Sequence, residues 1–180
     1  LCVSGLEMSA RAASEPTVVV ILIDGLPAVA LENAQTPTFD RLKRDGVWSD
    51  SLVPVFPSVS HSNWSSLSTG CWPERHGIVS NQFEIDGVAT DFETITDADS
   101  LLDCEPIHVV AENHGIPSAA LGVAGATSAT RGDLARTTAP YFDTWSSILD
   151  ATRAEQIVEQ LQRTDAYRPR LISAYFNGPD

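Results

Sequence analysis

The chain has 180 residues, a net charge of −13, and 43% hydrophobic against 19% charged residues. That balance is globular and excludes a disordered or collagen-like chain, and the length suits one domain or part of a larger one. The acidic surplus argues against a nucleic-acid polymer as partner, because phosphates repel an acidic surface, but leaves small phosphorylated substrates open.

In chain order, residues 1–15 carry Ala10-Arg11-Ala12 ahead of Pro16. They read either as the tail of a signal peptide around its cleavage site, which implies a periplasmic or secreted protein, or as a disordered N-terminus. Residues 17–23, TVVVILI, are β-branched and apolar, and suit a central parallel strand buried on both faces. This is the best apolar run, and it is far short of the ~20 residues of a membrane span. Thr36 and Pro37 are the N-cap and first residue of a helix that points Phe39 and Leu42 inward and closes at Gly46.

Residues 47–56 read as a second strand ended by Pro57. Residues 60–69 read as a short helix stopped by Gly70 and Pro73, and 81–100 as polar and irregular. A helix is expected over 105–113 with Gly115 closing it, a strand over 118–123, and a long surface loop over 125–141. Residues 151–163 form an amphipathic helix with Ile157, Val158 and Leu161 on one side, and 171–176 a last strand. Strand-like and helix-like segments alternate as in an α/β sandwich, with no repeat and no interdomain linker.

Cys2, Cys71 and Cys104 make no dense disulfide framework, and the odd count leaves at least one thiol unpaired. Cys71 reads as a packed apolar residue and Cys104 as a surface or core thiol. Trp48, Trp64, Trp72 and Trp145 read as core residues, with Trp64 near enough to Ser60 to line a pocket.

Two carboxylates stand at strand ends: Asp24 after VVVILI and Asp180 after LISAYF. In open α/β sheets ligands bind beyond the carboxyl ends of the strands, and a carboxylate there needs a cation or donors. Asp24-Gly25 is equally a common turn pair. The stretch FPSVSHSNWSSLSTG places serines just before and inside a short helix. Unpaired N–H groups and the helix dipole there favour an anion such as phosphate, and a metal can activate such a hydroxyl as a nucleophile. Serine clusters also simply cap and turn.

Taken in order, VVVILIDGL, TPTFDRLKRDGV, PVFPSVSHSNWSSLSTG, PERHGIVSN and YFNGPD resemble the alkaline phosphatase superfamily, in its nucleotide pyrophosphatase/phosphodiesterase (type I phosphodiesterase) branch. The resemblance is close over 18–81 and looser over 105–180. It implies a three-layer α/β sandwich with a mostly parallel central sheet, of which residues 16–180 would be the N-terminal part of the catalytic domain. It implies a two-zinc hydrolase, other divalent cations being possible, that cleaves phosphodiester or pyrophosphate bonds of nucleotide-like substrates.

By the same resemblance Asp24 is a ligand of the zinc that also holds the nucleophile, and Asp180 the first ligand of the other. The branch usually has Thr as nucleophile in P-T-x-T-F-P-N. Here Pro57-Ser58-Val59-Ser60-His61-Ser62-Asn63 stands instead, so Ser60 takes that position and a phosphoseryl intermediate follows. His61 falls where an aromatic packs on the leaving group or base, Asn81 where an Asn donates to a phosphoryl oxygen, and Tyr175 where an aromatic borders the substrate pocket.

None of His61, His76, His108 and His114 matches a zinc ligand of the branch, and the remaining ligands are expected beyond residue 180. His76 reads as structural, and His108 and His114 as exposed or core. Three ligand oxygens cannot fill two four-coordinate zinc sites, so the 180 residues alone are expected to be inactive.

Cys71-Trp72-Pro73-Glu74-Arg75 resembles the sulfatase C-x-P-S-R pattern, but follows rather than precedes the helix. Two alternatives stand beside the diesterase: a phosphomonoesterase or phosphonate hydrolase of the superfamily, and a non-catalytic relic of the fold. Val123-Ala124-Gly125-Ala126, where the branch often has W-P-G-S, leaves the substrate open.

Overall fold

The computed structural model describes residues 15–91, 101–126, 137–139 and 149–178. Its core is a four-stranded parallel sheet in the order β1-β6-β4-β5, built from β1 (Val18–Ile23), β4 (Ser118–Leu121), β5 (Thr137–Ala139) and β6 (Leu171–Phe176). Register is fixed on both sides of β6: Ala174 faces Ile21 on β1 and Leu121 on β4.

Side-chain alternation sorts the helices into layers. Ala119, Leu121, Ile172 and Ala174 pack with Ile157 of α6 (Leu149–Gln162) on one face. Ala120 and Tyr175 pack with Trp64 of α3 (Ser60–Thr69) on the other, where Ser118 Oγ also donates to the His108 carbonyl of α5 (Ile107–Asn113). The small side chains of β4, SAAL, let helices approach from both faces, and all four residues are buried. The result is the expected α/β sandwich with helices flanking a parallel sheet.

Several elements differ from the sequence reading. The inner, doubly covered strands of the described sheet are β6 and β4, not β1. β1 is the outer strand of the described sheet, and Val18 and Ile21 are more than half exposed. Helix α2 (Pro37–Asp45) begins and ends as expected, with the Gly46 N–H bonding the Leu42 carbonyl at 2.9 Å. It buries no residue, however, and Leu42 faces solvent.

Residues 47–56 form no strand, since no described strand runs alongside to complete a ladder; the Val55 N–H instead donates to Asn63 Oδ1 at 3.0 Å. Within 81–100 a hairpin replaces the irregular stretch: β2 (Gln82–Ile85) and β3 (Val88–Asp91) pair around Asp86-Gly87. Both turn residues have positive φ, +53° and +80°, the geometry for which Asp-Gly is suited. Part of 125–141 is the sheet strand β5, and Gly125-Ala126 is buried rather than a surface loop. On α6 the buried face is Arg153, Ile157 and Gln160, spaced i, i+4, i+7, while Val158 and Leu161 are exposed.

Cys71 and Cys104 are joined in a disulfide, which corrects the reading of two free thiols. It ties the segment after α3 to the segment before α5, and it removes the sulfatase-like role for Cys71, whose sulfur is bonded. Trp48 and Trp72 are exposed rather than core. Cys2, Trp145 and residues 1–14 lie outside the described residues.

His76 is structural. In α4 (Pro73–His76) its Nδ1 accepts the Ile78 N–H at 3.0 Å, so Nε2 carries the proton and points at Ser66 Oγ, 2.9 Å away. His108 is fully buried and donates from Nε2 to the Gly125 carbonyl; His114 donates to the Val110 carbonyl.

Candidate active site

Asp24 follows β1, and its backbone N–H continues the parallel ladder to the Phe176 carbonyl at 3.0 Å. The ends of β1 and β6 therefore lie side by side. The Asp24 carboxylate is held from three elements. Oδ1 accepts the Gly25 N–H at 3.0 Å; Oδ2 accepts the Tyr175 hydroxyl at 2.8 Å and the Trp64 indole N–H at 3.3 Å. Trp64 and Tyr175 meet edge-to-face, with ring centroids 5.7 Å apart. Their apolar bodies fill one face of the sheet while their polar tips meet the carboxylate.

Helix α3 begins at Ser60, and its N-cap Val59 supplies no side-chain cap. Asn81 serves this end from outside: its Oδ1 accepts the His61 N–H at 3.2 Å, which fixes the amide orientation and leaves Nδ2 as donor. Asn63 ties the preceding loop to the helix, donating to the Val59 carbonyl at 2.8 Å while accepting from Val55.

Asp24, Ser60 and Trp64 line one cavity of about 300 Å³ at the carboxyl end of β1. Ser58 and Ser66 also reach it, and Leu52, Val53 and Val55 form an apolar wall. Among the described residues no Lys or Arg lines the cavity. Asp24 and Ser60, 36 positions apart in sequence, are thus brought to one concave surface, which carries a hydroxyl at a helix N-terminus and a strand-end carboxylate. Such a place suits an anionic group flanked by an apolar one.

The other expected site residues are placed differently. His61 is 3% exposed and does not line the cavity. Burial lowers its pKa to about 4, against the opposing pull of Asp24, so it is neutral at pH 7. Tyr175 is buried behind Asp24 and presents its hydroxyl to the carboxylate. Ser62 is fully buried, its Oγ has no hydrogen-bond partner among the described residues, and it stands off the cavity. Asp180 lies outside the described residues. The sequence reading missed the hydroxyl of Tyr175 and the indole N–H of Trp64 as partners of Asp24. No motif announces such a contact; only the β1–β6 register and the approach of α3 create it.

Among the described residues no group of three or more His, Cys, Asp or Glu is poised around a metal ion. The donors present are oxygens. A carboxylate has about four acceptor positions, and three donors already reach Asp24, so room for one metal bond remains. With the Ser60 hydroxyl in the same cavity, the pair fits one side of a divalent-cation site and not a complete one.

A family model described as type I phosphodiesterase / nucleotide pyrophosphatase matches residues 18–180. An uncharacterized pyrophosphatase/phosphodiesterase of Schizosaccharomyces pombe is 32% identical, over 89% of this chain and 34% of the relative. Human ectonucleotide pyrophosphatase/phosphodiesterase family member 1 is 25% identical, over 92% of this chain and 18% of the relative. The structure of murine ectonucleotide pyrophosphatase/phosphodiesterase 5, an inactive threonine-to-alanine variant in complex with AMP, superimposes with a TM-score of 0.78. It is 26% identical, over 92% of this chain and 44% of that one. The chain thus spans less than half the length of these relatives.

Proposed function

The chain belongs to the type I phosphodiesterase / nucleotide pyrophosphatase family, and on that premise we propose that the full-length protein hydrolyses phosphodiester or pyrophosphate bonds of nucleotide-like substrates with Ser60 as nucleophile. The observation that carries this reading is the shared cavity of Ser60 and Asp24 at the strand ends.

The chain's own groups divide the work. The N-terminus of α3 and the Asn81 amide donors bind equatorial phosphoryl oxygens, where negative charge builds up in the transition state. Ser60 Oγ attacks phosphorus, forming an O–P bond as the bond to the leaving oxygen breaks. Water then attacks the same phosphorus, and the Ser60 O–P bond breaks to restore the hydroxyl. The apolar wall of Leu52, Val53 and Val55 accommodates the second ester group of a diester. Asp24 and Ser60, with Asp180, would hold two divalent cations, zinc by the donor expectations of the family. When bound they supply charge neutralisation and a lowered hydroxyl pKa.

That a mouse relative is inactive as a threonine-to-alanine variant supports an essential hydroxyl in this fold. Residues 16–180 are on this reading the N-terminal part of the catalytic domain. The Cys71–Cys104 bond supports an oxidising compartment, periplasmic or extracellular. No helix among the described residues is long and apolar enough to cross a membrane.

The test is Ser60→Ala in the full-length protein, assayed on bis-p-nitrophenyl phosphate. Turnover should fall by several orders of magnitude with metal content unchanged. Wild-type turnover in that variant refutes the assignment.

A further inference from the structure

Asp150, the second residue of α6, is remote in sequence from every motif above, yet its carboxylate spans the end of β6. Oδ1 accepts the Asn177 N–H at 3.1 Å and Oδ2 the Gly178 N–H at 3.2 Å. These two N–H groups lie just past the sheet ladder, where backbone donors otherwise lack partners. Asn177 in turn brings its Oδ1 to 3.4 Å from the Tyr175 hydroxyl, whose proton goes to Asp24 Oδ2 at 2.8 Å. Phe176, between them, accepts the Asp24 N–H. One carboxylate thus fixes the turn from which Asp24 is gripped twice, by backbone and by side chain.

Gly178 is shaped to this contact. A Cβ there would stand 2.9 Å from Asp150 Oδ2, so the carboxylate would have to shift away from its present position. Its φ is not in the left-handed region, so alanine at 178 carries no backbone strain, and its whole cost falls on the approach of Asp150.

We propose that Asp150 is a positioning residue of the metal site: by clamping the Asn177 and Gly178 N–H groups it sets the strand-end geometry in which Asp24 binds a divalent cation. This rests on the reading of Asp24 as a metal ligand. It assigns a function to α6, which otherwise only covers the sheet. Groups that orient a ligand without touching the metal commonly contribute 10–100-fold in affinity.

The test is a double-mutant cycle in the full-length protein, read as zinc affinity by competition with a chelator, with melting temperature measured in parallel. Asp150→Ala and Gly178→Ala should each weaken zinc binding about 10–100-fold. The double variant should bind no more weakly than the weaker single, since both substitutions remove the same contact. Asp150→Asn, which retains one acceptor oxygen, should fall between wild type and Asp150→Ala. Zinc affinity within about twofold of wild type in folded Asp150→Ala or Asp150→Asn overturns the proposal, whatever the melting temperature. Losses that multiply in the double variant overturn it as well. A wild-type protein without zinc affinity overturns the proposed function and this inference together, whereas a zinc-binding wild type with unaffected variants overturns this inference alone.

Discussion

The hydroxyl of Tyr175 donates to Oδ2 of Asp24 at 2.8 Å across the paired ends of β6 and β1. Tyr175 therefore acts through its oxygen, while its ring packs on Trp64. Tyr175→Phe keeps the ring and removes the donor. A hydrogen bond to a charged group contributes about 1.5–3 kcal/mol, so a loss of that order is expected in denaturant unfolding. Zinc affinity should fall about 10–100-fold, measured by chelator competition. Unchanged affinity would show that Trp64 and Gly25 suffice to orient the carboxylate.

The Cys71–Cys104 bond closes a loop with a sequence separation of 33. The chain-entropy account gives a stabilisation of about 3–4 kcal/mol for a loop of this size. Because it ties the C-terminal end of α3 to the approach of α5, Cys71→Ser should lower the melting temperature without changing the KM of the folded enzyme. Thermal melts with and without reductant check this, and the reductant should have no effect on the variant.

His76 is buried, and its pKa lies below the ordinary value, chiefly because burial disfavours the charged ring. Its Nδ1 already accepts the Ile78 N–H, so a second proton has no place there. The unfolded chain takes up a proton as pH falls through about 6.5, while the folded chain does not until lower pH. Stability contributed by His76 is therefore complete at pH 7 and above and declines on acidification below about 6.5. His61, lowered to about 4, adds to the same slope. His76→Gln should flatten the fall in melting temperature between pH 7 and 5, measured against wild type in matched buffers.

On α6 Ile157 is the buried apolar residue, whereas Leu161 is exposed. Ile157→Ala should cost about 2–5 kcal/mol, and Leu161→Ala markedly less, in urea unfolding. Equal costs would contradict the assigned face of the helix.

These contrasts show where the sequence was legible. α3 and β6 fall at the expected residues because their signals are local: Gly70 with positive φ closes α3, and LISAYF is apolar and covered on both faces. The same hydrophobicity misled at β1, since two-sided burial depends on what packs outside the strand. The hairpin turn Asp86-Gly87 was readable as turn chemistry but was overshadowed by its polar surroundings. The pairing of Cys71 with Cys104 was illegible because cysteine counting says nothing about which segments the fold brings together. That Asp24 and Ser60 come to one cavity was legible from motif position. The grip of Tyr175 and Trp64 on Asp24 was not, because it arises from strand register and helix approach. Ser62, two positions on in the same motif, is fully buried and does not line the cavity.

The central claim is that the Ser60 hydroxyl attacks phosphorus, and covalent trapping tests it most directly. Full-length protein turning over a nucleoside p-nitrophenyl phosphodiester is quenched in acid and mapped by tandem mass spectrometry. The account predicts a nucleotidyl ester on Ser60 and none on Ser58, Ser62 or Ser66. An ester on another residue, or sustained turnover with Ser60 unmodified under conditions that trap the intermediate, would contradict it.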